Sequence, residues 1–294
     1  MEEEGEVVEF SGQSEQDVGL IAEARKLLDE VQAHKQGRFL DEAIKVAMKA
    51  REAFKEIQDK TGEAEALMEM AESLDLKQAY AEALATADEA VVVSKESFDD
   101  EVEGSAHLLV AHVNVGALEY TVNSGGTDNI DMLHSQATNA GKLALDLARK
   151  SQNAPAQAQA LYILSRAHLA AKREKEADRY AEQSYKIFKG DRIYDMAAAA
   201  KMTQAQVHNA IGKVEDAMGC AKEALSLAQR DPKNCAEMAT QASEFLSAVY
   251  EASRPYVDDG QGGAREDTDW AVAYSGLAIA QCRRFHVPAR NRVR

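Results

Sequence analysis

Small and apolar residues recur along this chain with helical spacing. The clearest segments carry alanine or another small residue at relative positions 0, 4 and 7, directly after an acidic residue, as at Ala43, Ala47 and Ala50. Because an α-helix makes one turn in about 3.6 residues, this spacing places the small side chains on one face of a helix. The pattern therefore predicts a helix with a narrow, closely packed face at each such segment.

The small-residue pattern repeats at a nearly fixed interval along the chain. Its first positions are Ala43, Ala83, Ala137, Ala177 and Ala217. The interval between successive members is 40, except between Ala83 and Ala137, where it is 54. A fixed period of this length indicates a repeat architecture. The additional fourteen residues surround positions 123–128 and predict either an inserted loop or an overlong pair of helices.

A second helical pattern precedes each small-residue segment. Residues 64–76, for example, place Leu67, Ala71 and Leu74 on one side of a helix. Short links at residues 36–38 and 211–213 contain Gly37 and Gly212, which we expect to end their helices in the left-handed cap conformation. Each period is then a helix, a tight turn and a second helix. Since neither helix can bury its face alone, consecutive hairpins are expected to stack.

Residues 212–217 (GKVEDA) with Ala221 and Ala224, and residues 37–43 (GRFLDEA) with Ala47 and Ala50, resemble the tetratricopeptide repeat family. The period of about 40 is similar to that of its kinesin-light-chain members, and the resemblance covers residues 18–284. It implies an all-α, right-handed superhelical solenoid of about six stacked helix-turn-helix repeats. The family's frequent tyrosine near the end of the first helix is replaced here by a set of other residues, namely His34, Leu74, His168 and His208.

One offset relates the first three predicted repeats to the last three. The numbers of Ala137 and Ala271 differ by 134, and the same offset pairs Phe54 with Phe188. We therefore predict two related three-repeat blocks, residues 18–153 and 154–284, with a final helix from about Thr268 to Arg284. Residues 1–17, with seven acids and no base, and the basic residues 285–294 are predicted to be disordered tails.

Charge and composition narrow the class of partner. The chain has 34 Lys and Arg against 50 Asp and Glu, a net charge of −16, which argues against nucleic acid as a partner. No apolar run approaches the length of about 18 residues that a membrane-spanning helix needs, so no membrane insertion is expected. Three cysteines without a CxxC pair and an acidic start fit a reducing compartment, and we predict a cytoplasmic protein.

Catalytic and metal-binding motifs are absent from the sequence. It contains no P-loop, GxGxxG, HExxH or GxSxG pattern, and most carboxylates are spaced as on solvated helix faces. His107 and His112 are five positions apart rather than the four that would direct both at one metal ion. We predict no enzyme activity, no cofactor and no metal, and we interpret the recurring histidines as packing residues.

The first helices of the repeats are expected to line a concave groove. Its predicted lining is a row that runs from acidic through apolar to neutral polar residues: Glu65, Glu69, Glu72, Leu109, His112, Ile163, Arg166 and Gln206. Such a row suits a peptide or helix with a basic end and an apolar middle. The alternative is that the three glutamates only form a solvated helix face.

The sequence therefore predicts a non-catalytic scaffold or adaptor that binds a peptide or helix of a partner protein in this groove. Two alternatives fit the same sequence. One is a structural subunit of a large assembly that docks through its tails and edges. The other is a regulatory subunit that acts on an enzyme on another chain. The five arginines of residues 283–294 form a second candidate surface, suited to an acidic partner.

Overall fold

A computed structural model describes residues 15–232 and 234–252 of the chain. Over these residues the protein forms eleven α-helices and no strand. In chain order they are α1 (Glu15–Gln36), α2 (Leu40–Glu56), α3 (Lys60–Leu76), α4 (Tyr80–Glu96), α5 (Asp100–Asn123), α6 (Ile130–Lys150), α7 (Ala154–Ala170), α8 (Glu174–Gly190), α9 (Tyr194–Ala210), α10 (Val214–Ala228) and α11 (Ala236–Ala252). The predicted helix from Thr268 to Arg284, residues 1–14 and the basic tail lie outside the described residues.

The helices pack in chain order within two compact units, which divide between Leu109 and Val110. In the first unit α1 packs on α2, α2 on α3 and α3 on α4; in the second, each helix from α6 to α11 packs on the next. Odd-numbered helices also contact each other, as α1 does α3 and α7 does α9. The predicted fold class, an all-α stack of helix-turn-helix repeats, is confirmed.

The small-residue positions form the tightest part of this packing. Ala43, Ala83, Ala137, Ala177 and Ala217 are all fully buried. On α8 the Ser184 hydroxyl donates a hydrogen bond of 2.8 Å to the Ala158 carbonyl of α7, which shows how closely these two helices approach. A Cβ on Gly141 of α6 would lie 3.0 Å from the Leu164 side chain. Larger side chains at these positions would hold the helices apart.

Within the described part of the chain, eight turns connect helices through one left-handed residue each. These residues recur at an interval of 20 within each of two runs: Arg38, Gln58, Gln78 and Phe98, then Gln152, Lys172, Arg192 and Gly212. After α3, for example, the Ala79 N–H donates to the Leu74 carbonyl and the Gln78 N–H to the Asp75 carbonyl. These two bonds satisfy helix-end carbonyls that would otherwise lack partners.

The expectation that glycine supplies this conformation is right for one turn and wrong for the other. Gly212 has a φ of +77°, but in the first turn Arg38, with a φ of +60°, is the left-handed residue and Gly37 is not. Non-glycine residues in this conformation cost about 1 kcal/mol each. The paired backbone hydrogen bonds and the packing of both flanking helices hold the geometry regardless of side chain.

The fourteen additional residues lengthen helices more than they add a loop. α3, α7 and α9 have 17 residues each, whereas α5 has 24 and α6 has 21. The link between α5 and α6 has six residues, against three in the regular turns. Of the two predicted alternatives, the overlong helix pair is the one the structure contains.

Candidate polypeptide-binding groove

A groove of about 420 Å³ lies within the second unit, on its odd-numbered helices. It crosses them diagonally, from the C-terminal end of α5 over α7 and α9 to the N-terminal end of α11. Its lining consists of Glu119, Val122 and Asn123 of α5, Tyr162, Arg166, Leu169 and Ala170 of α7, Ala199, Met202, Thr203 and Gln206 of α9, and Met238 and Gln241 of α11. We call these residues the unit-2 groove.

Among the described lining residues of the unit-2 groove, only Glu119 and Arg166 carry a formal charge, and they form an ion pair. Arg166 donates from Nε to Glu119 Oε1 at 3.0 Å and from its terminal nitrogen to Glu119 Oε2 at 2.5 Å. The same guanidinium lies 5.9 Å from the centre of the Tyr162 ring, one helical turn earlier on α7. A bidentate pair of this kind fixes both side chains and cancels their charges. The described lining is therefore neutral overall.

The rest of the unit-2 groove combines apolar side chains with side-chain amides. Burial raises the pKa of Tyr162, with the Arg166 charge acting in the opposite direction. Met202 and Met238 add flexible thioethers that adapt to irregular apolar shapes. Gln206 and Gln241 each offer a donor and an acceptor to a ligand. These groups suit an uncharged, partly apolar ligand with amide groups of its own.

Of the four predicted groove residues that lie in the second unit, two line the unit-2 groove. Arg166 and Gln206 line the unit-2 groove. Ile163 is buried in the helix packing at 5% exposure, and His112 is half-buried on α5, outside the lining. The sequence analysis missed Tyr162 and Met202, although each lies one helical turn before a predicted groove residue.

The acidic part of the row lies on α3 in the first unit, where basic residues of α1 accompany it. Lys35 Nζ is 2.6 Å from Glu69 Oε2 and 2.7 Å from Glu72 Oε2. Burial alone would lower the pKa of Lys35, but its hydrogen bonds to both carboxylates raise it above the ordinary value. Gln32 Nε2 also donates to Glu69 Oε1 at 2.6 Å. Much of the negative charge on this face is therefore matched within the chain.

The remaining residues of the row have different surroundings. Burial raises the pKa of Glu65, with the Arg25 charge acting in the opposite direction. Leu109, at the end of the first unit, is 7% exposed. Neither lies in the unit-2 groove. The face of α3 that carries Glu65, Glu69 and Glu72 is called the acidic row below.

The second unit also contains a pair of buried histidines. His134 Nε2 lies 3.2 Å from His168 Nδ1, so one neutral imidazole donates to the other, and His168 stacks on the Tyr180 ring at a centroid distance of 5.4 Å. Burial and the neighbouring His134 lower the pKa of His168 to about 4. His168 is thus a packing residue, as predicted. The sequence analysis missed His134, which does not occupy the recurring repeat position.

Metal binding and membrane crossing find no support in the part of the chain that the structure describes. Those residues contain no group of three or more side chains placed to hold a metal ion. Among the described helices, none is both long and apolar enough to cross a membrane.

Comparison with known proteins adds evidence on the fold. No family model and no curated protein sequence matches the chain. Among solved structures, kinesin-light-chain repeats of the tetratricopeptide type from Podosopora anserina match 76% of this chain and 95% of their own, with 14% identity and a TM-score of 0.53. The chain has the tetratricopeptide-like repeat fold.

Two further structures share this fold over more of the chain. BtubC from P. vanneervenii matches with 16% identity, 96% coverage of both chains and a TM-score of 0.58. A Rap protein solved in complex with Competence and Sporulation Factor matches 87% of this chain and 72% of its own, with 16% identity and a TM-score of 0.59. The fold that the sequence pattern predicted is thereby confirmed.

Proposed function

We propose that this protein is a non-catalytic scaffold or adaptor that binds a polypeptide segment of a partner protein in the unit-2 groove. The observation that carries the proposal is the groove's lining: an internally neutralised ion pair, a tyrosine, two methionines and several amides on one surface. The Rap protein with the same fold was solved as a complex with Competence and Sporulation Factor. That a protein of this fold was solved with a bound partner supports a binding role for this chain.

A polypeptide fits the lining better than a small charged metabolite. The groove volume of about 420 Å³ accommodates a few side chains rather than a large cofactor. Gln206 and Gln241 can pair with the N–H and C=O groups of an extended peptide, while Met202 and Leu169 contact its apolar side chains. A strongly charged ligand would gain little from the described lining, in which the two charged residues are paired with each other.

The acidic row is the second part of the proposal. We propose that it binds a separate, basic polypeptide segment, whose cations would compete with Lys35 for Glu69 and Glu72. Changing Glu65, Glu69 and Glu72 together to alanine is expected to weaken a basic ligand and to flatten the salt dependence of its binding. Unchanged binding would leave these glutamates as a solvated helix face. A cytoplasmic location remains a prediction from the sequence.

Selection from a displayed library of random twelve-residue peptides tests the main proposal. The full chain is immobilised, and the enriched peptides are measured by fluorescence anisotropy. Gln206→Trp fills the unit-2 groove from an exposed position and is expected to weaken binding at least about tenfold, or 1.4 kcal/mol. Gln183→Trp, at an exposed position of α8 outside the groove, is the matched control and should bind as the wild type does. No enrichment, or equal binding by both variants, would contradict the proposal.

A further inference from the structure

Polar residues gather on the side of α9 that faces α8 and α10. Gln204 Nε2 donates to Asp178 Oδ1 of α8 at 2.9 Å, and His208 Nε2 lies 3.3 Å from the same oxygen. The other ring nitrogen, His208 Nδ1, lies 3.8 Å from Asp216 Oδ2 of α10. We call these four residues the α9 polar site. With about 3.6 residues per helical turn, Gln204 and His208 lie on the opposite side of α9 from the residues that line the unit-2 groove.

The polar atoms that the α9 polar site leaves unpaired are hydrogen-bond acceptors. Gln204 is 5% exposed, and its Oε1 is buried without a hydrogen-bond partner in the described part of the chain. A neutral His208 that donates from Nε2 to Asp178 keeps a lone pair on Nδ1, and this atom is likewise buried without a hydrogen-bond partner among the described residues. Two acceptors beside two carboxylates call for a ligand with several donors.

The carboxylates of the α9 polar site also lack a permanent cation. Within the described residues, neither Asp178 nor Asp216 forms an ion pair with a lysine or arginine. Lys201, two turns before His208 on α9, lies instead 3.4 Å from Glu182 Oε2 and 3.5 Å from Glu223 Oε2. The side chains of Asp178 and Asp216 are 42% and 58% exposed, so a cationic ligand can reach both.

The repeat architecture does not require polar side chains at these positions. A sequence offset of 134 relates Asp178, Gln204 and His208 to residues of the first unit that are all apolar, namely Ile44, Met70 and Leu74. Leu74 is buried, and Met70 packs against an apolar cluster. Since an apolar version of this contact packs well, the unpaired buried acceptors of the second unit weaken the fold without a structural need. Departures of this kind are expected where a residue serves a function.

We propose that the α9 polar site binds the guanidinium group of an arginine side chain in a polypeptide. The guanidinium is permanently charged and carries several N–H donors in one plane, which suits carboxylates on both sides of an imidazole. It would donate to Asp178 and Asp216, and Gln204 Oε1 and His208 Nδ1 would be further acceptors. The site shares no residue with the unit-2 groove, so this inference stands or falls separately from the proposed function.

Nuclear magnetic resonance of the histidine rings tests the inference on the full chain, at about pH 7.5, where an ordinary imidazole is neutral. The seven histidines are labelled with carbon-13 at Cε1, and the His208 signal is assigned by its absence in His208→Gln. N-acetyl-arginine methylamide is expected to shift this signal saturably, whereas its uncharged analogue N-acetyl-citrulline methylamide should not. Asp178→Asn is expected to lower the affinity for the arginine probe at least about tenfold, because it removes a charge-assisted acceptor. Asp191→Asn, an exposed change directly after α8, is the matched control and should bind as the wild type does.

Several results would overturn the inference. One is the same response to the arginine and citrulline probes, or no response to either. Another is unchanged affinity in both Asp178→Asn and Asp216→Asn, with circular dichroism verifying that each variant is folded. A His208 ring that carries both protons at this pH would also overturn it, because the imidazolium would then supply the cation from within the chain. Equal affinity for N-acetyl-lysine methylamide would overturn the assignment to arginine.

A further variant distinguishes the two sources of such an arginine. The five arginines of residues 283–294 are changed to glutamine in the full chain. If these arginines occupy the α9 polar site, the variant should bind the arginine probe more tightly than the wild type does, because the competitor is gone. Equal binding by the two proteins would assign the site to an arginine of a partner polypeptide. Both results support the site itself.

Discussion

The two compact units carry equivalent helices at a sequence offset of 134 but line them with different chemistry. Adding 134 to the bounds of α2 and α3 gives the bounds of α8 and α9. The same offset places the acidic row of the first unit on neutral residues of the second: Glu65 on Ala199, Glu69 on Thr203, and Glu72 on Gln206. The repeat thus fixes where a lining residue lies, while the individual side chains decide what the surface can bind.

The partners of equivalent glutamates in the two units differ in the same way. Glu89 of α4 and Glu223 of α10 occupy equivalent positions. Glu89 is paired with Arg51 of α2, whereas Glu223 meets a phenol at that position, Tyr185 of α8. Glu223 is also paired with two cations, Lys189 of α8 at 3.3 Å and Lys201 of α9 at 3.5 Å.

Lys201 replaces an apolar core residue of the first unit. Its equivalent is Leu67, which is fully buried, while Lys201 is only 8% exposed. The ammonium lies 4.1 Å from the centre of the Tyr185 ring and 3.4 Å from Glu182 Oε2. A buried lysine is tolerated where an aromatic face and two carboxylates replace its water. The first unit has a cation, Arg51 of α2, at the position where the second unit has the Tyr185 phenol.

Exchanging these two residues is expected to give the largest effect. Leu67→Lys buries an ammonium without the phenol found at Tyr185 and should destabilise the protein by about 3–5 kcal/mol. Lys201→Leu should change stability by less than about 1 kcal/mol, because Glu223 keeps Lys189 and Tyr185 as partners. Urea unfolding measures the free energy of unfolding of both variants. Equal effects of the two substitutions would contradict the assignment of different interiors to equivalent positions.

Acidification is expected to have the next largest effect, through His168 in the second unit. Its folded pKa of about 4 lies below the ordinary imidazole value of about 6.5. Its contribution to stability is therefore complete above pH 6.5 and is lost as the pH falls toward 4, by about 2–3 kcal/mol. His168→Leu, which introduces the residue that Leu74 supplies at the same repeat position of α3, should lose less stability between pH 7 and pH 4.5. Parallel pH profiles of the two proteins would count against this account.

A substitution at Gly62 tests the packing of the first unit and is expected to have a smaller effect on stability. A Cβ there would lie 2.2 Å from the Phe54 ring, which is almost fully buried. The equivalent residues of the second unit are Met196 and Phe188, so that unit accepts a long side chain at this position. Gly62→Ala is expected to destabilise by about 1–3 kcal/mol, and Met196→Ala by less. A stabilising Gly62→Ala in thermal melting would show that Phe54 moves freely.

The smallest expected effects concern the left-handed turns that the two units share. Arg38 and Lys172 are equivalent, and both have positive φ values. Changing either to glycine should stabilise by up to about 1 kcal/mol, since the side chain no longer opposes the conformation. Gly212→Ala should destabilise the protein by about the same amount. Thermal melting of all three variants shows whether each substitution raises or lowers the stability. A loss of stability in both glycine variants would mean that their side chains contribute contacts that outweigh the relief of strain.

The fold could be predicted from the sequence because the small-residue spacing is local information. Ala43 and Ala177 indicate a close helix contact wherever their partner helix lies, and both are buried as that spacing predicts. The groove could be predicted only in part. Glu119 meets Arg166 across a long stretch of chain, and the spacing of neither residue indicates the other. The matching of Lys35 with Glu69 is likewise a contact between helices that composition does not reveal.

The two-block hypothesis depends on the same distinction between local pattern and packing. The offset of 134 predicted equivalent helices, and α2, α3, α8 and α9 have equivalent bounds. The compact units, however, divide at Leu109 within α5. Independent folding of residues 18–153 and 154–284 therefore stays a prediction. The insertion falls in the third repeat and lengthens α5 and α6, so the offset of 134 does not apply across it.

Photochemical cross-linking of an enriched peptide tests the central claim most directly. The peptide carries a benzophenone in place of one apolar side chain, the full-length protein is irradiated in its presence, and mass spectrometry locates the adducts. The account predicts adducts at Met202 and Met238, the two methionines of the unit-2 groove, and their loss in Gln206→Trp. Adducts confined to α1 and α3, or spread over the surface and unaffected by Gln206→Trp, would contradict it.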